Sequence, residues 1–332
     1  MTETTYSCLF VEENKDGSFS RKITTRSVDD LPEGDLLIRV RYSSLNYKDA
    51  LSATGNKGVT RKFPHTPGID AAGEVVRCLD GTFKEGEEVL VTGYDLGMNT
   101  PGGFGQYVRI PSSWTLRLPA GLGMKESMGL GTAGFTAALC VQGLENGDVR
   151  ALKGEVVVTG ATGGVGSMAV SILAKAGYSV TAVTGKQEAV EYLRSLGAAS
   201  VEDRTSVLEG ADRPMMKERW AGAVDVVGGE TLAAVVKAAG YGGTVTCCGL
   251  VGSPDLPLNV FPFILRGVSL VGIDSVQVPM PQREKVWGQL AGEWKPGHLE
   301  DMMTEVTLEE LDGKIDEMLG GKVKGRVVVN LG

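Results

Sequence analysis

The sequence is poor in the side chains that most often bind metals. Its 332 residues include only two histidines and five cysteines, and no two cysteines stand in a CxxC spacing. A zinc site needs three or four nitrogen, sulfur or oxygen ligands placed together, so a multi-histidine centre is excluded. Cys247 and Cys248 lie in an apolar, strand-like run, and we interpret them as small core residues rather than redox groups.

Long apolar runs and an excess of basic charge are also missing. No stretch of about 18 apolar residues is present, which argues against a membrane-spanning helix, and the opening MTETTYSCLF predicts no signal peptide. The 33 basic and 41 acidic side chains give a formal charge of −8, the opposite of the clustered basic surface that binds nucleic acid. These absences favour a reduced, cytoplasmic protein that binds neither membranes nor nucleic acid.

What the sequence has in excess is glycine, with 47 residues, roughly twice the usual share of ~7%. A chain of this length is expected to form about two domains. Short strands over 35–40, 71–77 and 88–92 predict a β-rich, barrel-like unit. Beyond residue 120, strands alternate with helices, which predicts an α/β fold with a doubly wound parallel sheet. The helical patterns there cover 125–140, 165–176, 186–196, 231–239, 284–294 and 308–319, and the strand patterns cover 155–159, 179–183, 223–227, 243–248 and 326–330.

The strongest local pattern is the glycine-rich segment VVVTGATGGVGSMAV, which spans 156–170 and joins a buried strand to an amphipathic helix. Glycines let the backbone approach a pyrophosphate, and amides at a helix start bind its negative charge. We therefore expect Thr162, Gly163, Gly164 and Val165 to contact a dinucleotide. The GxxGxxG spacing is one residue longer than the usual fingerprint, and a tight turn without a ligand is the alternative.

The residues after the next strand distinguish between the two nicotinamide dinucleotides. An acidic side chain there binds the ribose 2′-hydroxyl of NADH, whereas a basic or small polar one accommodates the 2′-phosphate of NADPH. This strand ends in Thr184, Gly185 and Lys186, no carboxylate precedes Glu188, and Arg204 follows the next strand. These residues predict NADPH as the cofactor. The alternative for Lys186 is that it only begins a solvated helix.

One class of reductase with a similar glycine turn lacks support elsewhere in the sequence. Thr159–Gly166 also fits the TGxxxGxG pattern of short-chain dehydrogenases, which need a tyrosine and a lysine four residues later. The tyrosines after the turn are followed at that distance by alanine, leucine and valine, at 182, 196 and 245. We therefore exclude that class.

Several long motifs, in order along the chain, resemble one known group of reductases. They are LNYKDAL, FPHTPGIDAAG, GTAGFTAALCV, VVVTGATGGVGSMAV, YLRSLGA, PFILRGVSLVGIDSV and KGRVVV. Over essentially its whole length the sequence resembles the medium-chain dehydrogenase/reductase superfamily, in particular its YhdH-type acryloyl-CoA reductase and quinone oxidoreductase subgroup. Zinc-dependent members have a cysteine and a Gly-His-Glu segment where this chain has Asn46 and Gly68-Ile69-Asp70. The resemblance is therefore to the zinc-free members, and no metal site is expected.

The resemblance carries expectations about fold and activity. It implies a GroES-like, β-rich catalytic domain over 1–122 and 266–332, and a Rossmann NADPH-binding domain over 123–265. It further implies NADPH-dependent reduction of acryloyl-CoA to propionyl-CoA by direct hydride transfer, in a homodimer formed mainly through the nucleotide domains. A zinc-free NADPH:quinone oxidoreductase and a non-catalytic NADPH-binding sensor are the alternatives.

Candidate residues for the reaction follow from its chemistry. Negative charge develops on the thioester oxygen during hydride transfer to an activated alkene, and a hydrogen-bond donor stabilises that charge. Tyr47 is the candidate donor, and Asn46 and Asp49 are candidates for orienting the substrate or the loop. Pairing of Asp49 with Lys48 or Arg61 is the structural alternative.

Further cofactor contacts come from topology and from the resemblance. Ligands bind at the carboxyl ends of parallel strands, which places Leu250, after the strand TVTCC, near the nicotinamide. The resemblance implies additional NADPH contacts by Tyr47, Ile264, Ser275 and Arg326. We expect Ile264 to lie on a strand, where a plain core position is the alternative.

Overall fold

The structure is a computed structural model that describes residues 4–332. The first three residues, part of the segment predicted to contain no signal peptide, lie outside the described range. The described chain divides into two compact units. Unit 1 runs to Thr132 and also contains Val276–Ala291 and Leu299–Gly332, whereas unit 2 contains Ala133–Ser275 and Gly292–His298. The domain boundaries predicted from the sequence, after residues 122 and 265, stay predictions.

Strands and helices are numbered along the chain. The strands are β1 (Thr5–Glu13), β2 (Phe19–Ser27), β3 (Leu36–Leu45), β4 (Asp70–Cys78), β5 (Glu88–Thr92), β6 (Tyr107–Ile110), β7 (Leu116–Arg117), β8 (Val156–Val158), β9 (Val180–Thr184), β10 (Ser200–Asp203), β11 (Trp220–Asp225), β12 (Ala239–Cys247), β13 (Ser269–Gly272), β14 (Met303–Thr307) and β15 (Arg326–Asn330). The α-helices are α1 (Tyr47–Ala53), α2 (Met124–Asn146), α3 (Gly164–Lys175), α4 (Val190–Ser195), α5 (Gly229–Ala238), α6 (Phe261–Arg266), α7 (Met280–Ala291) and α8 (Leu311–Leu319).

Unit 1 is built on a seven-stranded sheet in the order β14-β15-β3-β4-β5-β7, with β6 also beside β3. The sheet is antiparallel except for the pair β14 and β15, and β1 and β2 form a separate antiparallel hairpin. Its core is made of aliphatic side chains from these strands, including Ile38, Val89 and Val329, all buried. Because β15 pairs with β3, the end of the chain lies beside its first third.

Unit 2 is a six-stranded parallel sheet in the order β10-β9-β8-β11-β12-β13. Counted within the unit, this is the order 3-2-1-4-5-6 of the dinucleotide-binding fold. The central strands read as continuous apolar runs because helices cover both faces of such a sheet, and β8 and β9 are buried throughout. The arrangement confirms the predicted α/β class with a doubly wound sheet.

Several local expectations are wrong in detail. The helix predicted over 186–196 is a 3-10 turn at Gln187–Ala189 followed by the short α4. The helix predicted over 125–140 extends to Asn146 and is interrupted at Gly131, whose φ is 52°. Cys247 and Cys248 are half-buried rather than fully buried, and Cys247 packs against the hydrophobic core of unit 2. No helix within 4–332 combines the length and apolar composition that crossing a bilayer requires.

Candidate functional site

The glycine turn after β8 has a backbone that only glycine fits. Gly160 adopts a φ of 56°, and a Cβ atom there would lie 2.6 Å from the Val226 side chain. A Cβ atom on Gly166 would lie 2.3 Å from the Gly160 carbonyl oxygen. Glycine is therefore required at 160 by the backbone conformation and the nearby Val226 side chain, and at 166 by the close approach of α3 to the turn after β8.

The first turn of α3 has amides that bind nothing in the described chain. Gly163 donates its own amide to the Gly160 carbonyl at 3.0 Å, and Ser167 donates to Gly163 at 2.9 Å. The amides of Gly164 and Val165 have no acceptor within residues 4–332. The first amides of a helix have no partner inside it and carry partial positive charge, so this turn suits an anion. Thr162, the fourth predicted residue, is buried in the same turn.

A buried carboxylate ties the ends of the two central strands together. Asp225 ends β11 and accepts the Thr159 hydroxyl at 2.6 Å, as well as the amides of Gly228 at 2.7 Å and Val227 at 3.2 Å. Burial raises the pKa of Asp225, against the effect of these hydrogen bonds. The order of strands reverses between β8 and β11, where such folds bind their ligands. No sequence pattern singles out Asp225.

The residues after β9 and β10 form what we call the cation edge: Thr184, Gly185, Lys186 and Arg204. The Thr184 hydroxyl accepts the amide of Lys186 at 3.0 Å, and the amide of Arg204 donates to the Thr184 carbonyl at 3.1 Å. The Arg204 side chain is exposed, and its guanidinium has no hydrogen bond or ion pair with any described residue. The structure thus brings all four predicted residues to one edge of the sheet.

Three other predicted cofactor residues follow β12 and β13 or lie between them. Leu250 comes after β12 and is exposed, and Ser275 comes after β13 and is half-buried. Ile264 lies on α6, not on a strand, and is 68% exposed rather than in the core. The prediction of a strand there is wrong because Pro262, in the first turn of α6, favours a helix start, and Gly267, with a φ of 62°, ends the helix.

In unit 1, the end of β3 and the start of α1 carry a polar group that is shut away from solvent. Asp49 is fully buried and accepts the amides of Asn46 at 2.8 Å, Gly68 at 3.2 Å and Ile69 at 2.8 Å. It also accepts the side-chain amide of Asn46 at 3.2 Å. These contacts replace the pairing with Lys48 or Arg61 that the sequence left open.

Asp70 and Arg326 complete this group, which we call the buried cluster: Asn46, Asp49, Asp70 and Arg326. Asp70 accepts the Asn46 side-chain amide at 2.8 Å and the Thr132 amide at 2.9 Å. Arg326 donates to the Asn46 side-chain oxygen at 3.2 Å and to the Gly129 carbonyl at 3.1 Å. Every polar atom of the Asn46 side chain is therefore engaged inside unit 1, and Arg326 is only 2% exposed.

The buried cluster holds two carboxylates and one guanidinium, so it is one positive charge short of neutrality. Burial and the nearby Asp70 carboxylate raise the pKa of Asp49 to about 7. Burial also lowers the pKa of Arg326, while Asp70 and Asp49 raise it. Asp49 therefore takes up a proton near neutral pH. The sequence marks Asp70 only as a position without a zinc ligand, and no pattern predicts its place in the cluster.

Tyr47 differs from its neighbours because it is open to solvent. It is the first residue of α1 and is 47% exposed, next to the nearly buried Asn46. Its phenol makes no hydrogen bond with any residue in 4–332. It is the one member of the predicted catalytic group with a polar atom available to a ligand.

The described residues bring no three histidine, cysteine, aspartate or glutamate side chains into an arrangement that could hold a metal ion. At the position of a zinc-ligating cysteine stands Asn46, whose amide binds Asp70 and Arg326.

Two family models match the chain. The alcohol dehydrogenase GroES-like domain matches residues 32–120, and the zinc-binding dehydrogenase model matches residues 164–290.

Full-length relatives of known name are also similar. The putative quinone oxidoreductase YhfP of Bacillus subtilis is 46% identical, over 99% of both chains. The probable acrylyl-CoA reductase AcuI of Escherichia coli is 44% identical, over 96% of this chain and 98% of its own.

Solved structures agree in fold over the whole chain. The yhdH oxidoreductase of Salmonella enterica in complex with NADP has a TM-score of 0.95 at 43% identity, covering 98% of this chain and 100% of that one. The Bacillus subtilis yhfP structure with NAD bound has a TM-score of 0.96 at 46% identity, covering 99% and 100%. The chain therefore belongs to the medium-chain dehydrogenase/reductase superfamily of oxidoreductases, in the subgroup of acrylyl-CoA reductases and quinone oxidoreductases to which these relatives belong.

Proposed function

We propose that this oxidoreductase uses NADPH to reduce the activated C=C bond of acryloyl-CoA, giving propionyl-CoA. The observation that carries the proposal is the full-length similarity to the acrylyl-CoA reductase AcuI, at 44% identity. The strand order of unit 2 and the residues of the cation edge support binding of the nucleotide that this reaction needs. Small acyl-CoA thioesters are the substrate class.

The residues of unit 2 fit a phosphorylated dinucleotide. The unpartnered amides of Gly164 and Val165 would hold the pyrophosphate, and the glycines of the turn leave room for it. Arg204, exposed and without an internal partner, would bind the 2′-phosphate together with Thr184, Gly185 and Lys186. The Salmonella relative was crystallised with NADP and the Bacillus one with NAD, so the preference between the two nucleotides rests on this edge.

The nucleotide supplies the hydride when it is bound, and the chain supplies hydrogen bonds and orientation. Tyr47 presents an exposed phenol, which we assign as the donor that stabilises negative charge on the thioester oxygen. Asn46 and Asp49 have their polar atoms bound inside unit 1, so we assign them to fixing the start of α1. Leu250, Ile264, Ser275 and Arg326 stay predicted cofactor contacts.

The second candidate function is an NADPH:quinone oxidoreductase. It is favoured by the name of the YhfP relative, which is 46% identical over the full length. Both reactions need the same nucleotide site, and they differ only in the acceptor. The acceptor therefore has to be tested directly.

The test is an absorbance assay of NADPH oxidation by the purified protein, with acryloyl-CoA, longer enoyl-CoA thioesters, simple enones and quinones. We expect kcat/KM to be highest for acryloyl-CoA. A higher kcat/KM for a quinone would overturn the proposal in favour of the second candidate. Binding of NADPH without oxidation by any acceptor would instead support a non-catalytic sensor.

We also propose a homodimer formed through unit 2. Supporting it, β13 is the last strand of its sheet and is itself only partly buried. Val260, Phe261, Ile264 and Leu265 are exposed apolar residues just before it, and such a patch is typical of an interaction surface. Sedimentation of the Leu265→Glu variant is expected to show monomers, and an unchanged mass would refute the interface.

The proposed location is the cytoplasm. Its support is that all five cysteines are free thiols, as is usual in a reducing compartment.

A further inference from the structure

Arg204 stands in an unusual setting for an exposed cation without a partner. It directly follows two carboxylates in the sequence, Glu202 and Asp203. Its charge lowers the pKa of Asp203, yet no hydrogen bond or ion pair joins the guanidinium to either carboxylate. Instead both carboxylates are bound by other side chains.

Glu202 is bound by a different arginine. Arg219 donates to both carboxylate oxygens of Glu202, at 2.9 Å each, and the Ser206 hydroxyl donates at 2.7 Å. Both bonds come from one guanidinium nitrogen of Arg219 and are charge-assisted, which makes them stronger than neutral hydrogen bonds. The charge of Glu202 is therefore satisfied away from Arg204.

Asp203 is bound from both sides. One oxygen accepts the Thr205 amide at 2.9 Å and the Thr205 hydroxyl at 2.7 Å. The other accepts the side-chain amide of Gln187 at 2.8 Å. Hydrogen bonds from the Thr205 amide and hydroxyl are the main causes that lower the pKa of Asp203, and the Gln187 amide and the nearby Arg204 charge lower it further. Arg204 therefore acts on Asp203 through its charge but makes no hydrogen bond or ion pair with it.

Gly185 leaves room for the Arg204 side chain to lie against its backbone. A Cβ atom on Gly185 would stand 3.0 Å from Arg204 Nε, 3.1 Å from Cδ and 3.3 Å from Cζ. The guanidinium thus lies directly over the Gly185 backbone, which is exposed at the end of β9. The φ of Gly185 is not in the left-handed region, so a larger residue there would displace Arg204 without straining the backbone.

We propose that Gln187, Thr205 and Gly185 are positioning residues for nucleotide specificity: they keep Arg204 off the adjacent carboxylates and hold it open for a phosphate monoester. The ligand group is the 2′-phosphate of the adenosine ribose, so the inference rests on the proposed use of NADPH. Gln187 and Thr205 act by occupying Asp203, and Gly185 acts by leaving space for the guanidinium.

The test uses two ligands that differ only in this phosphate, adenosine 2′,5′-bisphosphate and adenosine 5′-monophosphate, titrated by calorimetry into the full-length protein. Gln187→Ala frees one oxygen of Asp203 to pair with Arg204, and we expect affinity for the bisphosphate to fall about threefold, the range of an exposed ion pair. Affinity for the monophosphate stays unchanged. Adding Asp203→Asn to Gln187→Ala restores the bisphosphate affinity because the competing charge is gone.

A second variant changes the position of the Arg204 guanidinium itself. Gly185→Val displaces the guanidinium, and we expect about a tenfold loss for the bisphosphate, since a hydrogen bond to a charged group is lost, and little loss for the monophosphate. Gln282→Ala, which changes an exposed glutamine in unit 1, is the matched control and leaves both affinities unchanged.

The outcomes separate the inference from the proposed function. If the wild-type protein prefers the bisphosphate and the Gln187 and Gly185 variants keep the same ratio of affinities, the positioning role is refuted. If the wild-type protein binds both ligands equally, the proposed NADPH preference fails and the inference fails with it. Equal loss of both ligands in the variants would indicate a general structural role and would also overturn the inference.

Discussion

The charged side chains of the buried cluster in unit 1 and of the cation edge in unit 2 differ in their exposure to solvent and in their partners. In the buried cluster, Asp49, Asp70 and Arg326 are buried, and their polar atoms are bound to neutral side chains such as Asn46 or to nearby backbone. At the cation edge, Arg204 is exposed and has no partner among the described residues. The buried charges stabilise one arrangement of the chain, whereas the exposed charge of Arg204 is available to a ligand.

This contrast separates structural polar residues from ligand-binding ones in this protein. Removing one member of a buried network leaves its partners desolvated and unpaired, which costs much more than losing an exposed contact. Removing an exposed cation changes the free energy of unfolding little, but it removes a direct contact with a bound anion. Stability and affinity measurements should therefore respond to different residues.

The largest effect is expected from Arg326→Ala. Arg326 makes no direct ion pair with Asp49 or Asp70, but its charge acts on both carboxylates. The substitution leaves these two buried carboxylates uncompensated, which costs about 3–5 kcal/mol of unfolding free energy. Urea unfolding measures this loss. The matched control is Arg204→Ala, which should change stability by less than about 0.5 kcal/mol. Similar losses of unfolding free energy in the two variants would show that the two arginines do not differ in this way.

The next effect is a dependence of stability on pH that comes from Asp49. Its pKa is raised from 3.8 to about 7 in the folded protein, so the folded state holds the proton more tightly than the unfolded state. Its contribution to stability is complete below the unfolded value and is lost as pH rises toward 7, by about 4 kcal/mol at roughly 1.4 kcal/mol for each pKa unit.

Unfolding measured between pH 4 and 8 tests this expectation. Asp49→Asn has no titrating group and should show a flatter profile than the wild-type protein. Asp16→Asn is the control, because Asp16 is exposed and hydrogen bonds from Ser18 lower its pKa. Parallel profiles for the wild-type and Asp49→Asn proteins would show that Asp49 is ionised throughout.

Substitution of Tyr47 tests whether an exposed residue beside the buried cluster binds substrate or stabilises the fold. It adjoins the buried cluster in sequence but is 47% exposed. Tyr47→Phe removes only the phenol oxygen, and loss of a hydrogen-bond donor to developing negative charge lowers kcat about 100-fold. Stability should stay within about 0.5 kcal/mol of the wild-type value.

The control for Tyr47 is Tyr241→Phe, at an exposed tyrosine of unit 2. It should leave kcat with acryloyl-CoA unchanged. An unchanged kcat in Tyr47→Phe would mean that another residue or a water molecule donates the hydrogen bond to the thioester oxygen.

The two regions also differ in how far the sequence predicts them. The glycine turn and the cation edge follow from short local patterns, because a strand, a turn and a helix start are consecutive in the chain. The buried cluster does not, since Asp70, Thr132 and Arg326 are far apart in the sequence. Only the pairing of Val327 with Leu45 and of Ser43 with Ala71 places their strands side by side.

The helix that contains Ile264 and the burial of Arg326 are both invisible in the local sequence pattern. Helix α6 is six residues long, fewer than two helical turns, so its apolar residues show no periodicity that separates a helix from a strand. Arg326 begins a strand in a basic segment, KGR, and nothing local distinguishes it from a solvated arginine. Its burial depends on partners contributed by β3, α1 and the segment around Gly129.

The smallest effect in free energy is expected at the cation edge. Arg204→Ala or Lys186→Ala should weaken NADPH binding about tenfold, since a hydrogen bond between charged groups is lost, and should leave NADH binding nearly unchanged. Arg194→Ala, at an exposed arginine of α4 paired with Glu191, is the control. Because salt screens exposed charges within about 10 Å at 0.1 M, the wild-type preference for NADPH should also shrink as salt is added, whereas the stability difference between wild-type and Arg326→Ala should persist. Equal loss of both nucleotides in Arg204→Ala would mean that the guanidinium serves the fold, and the contrast between the two regions would then be wrong.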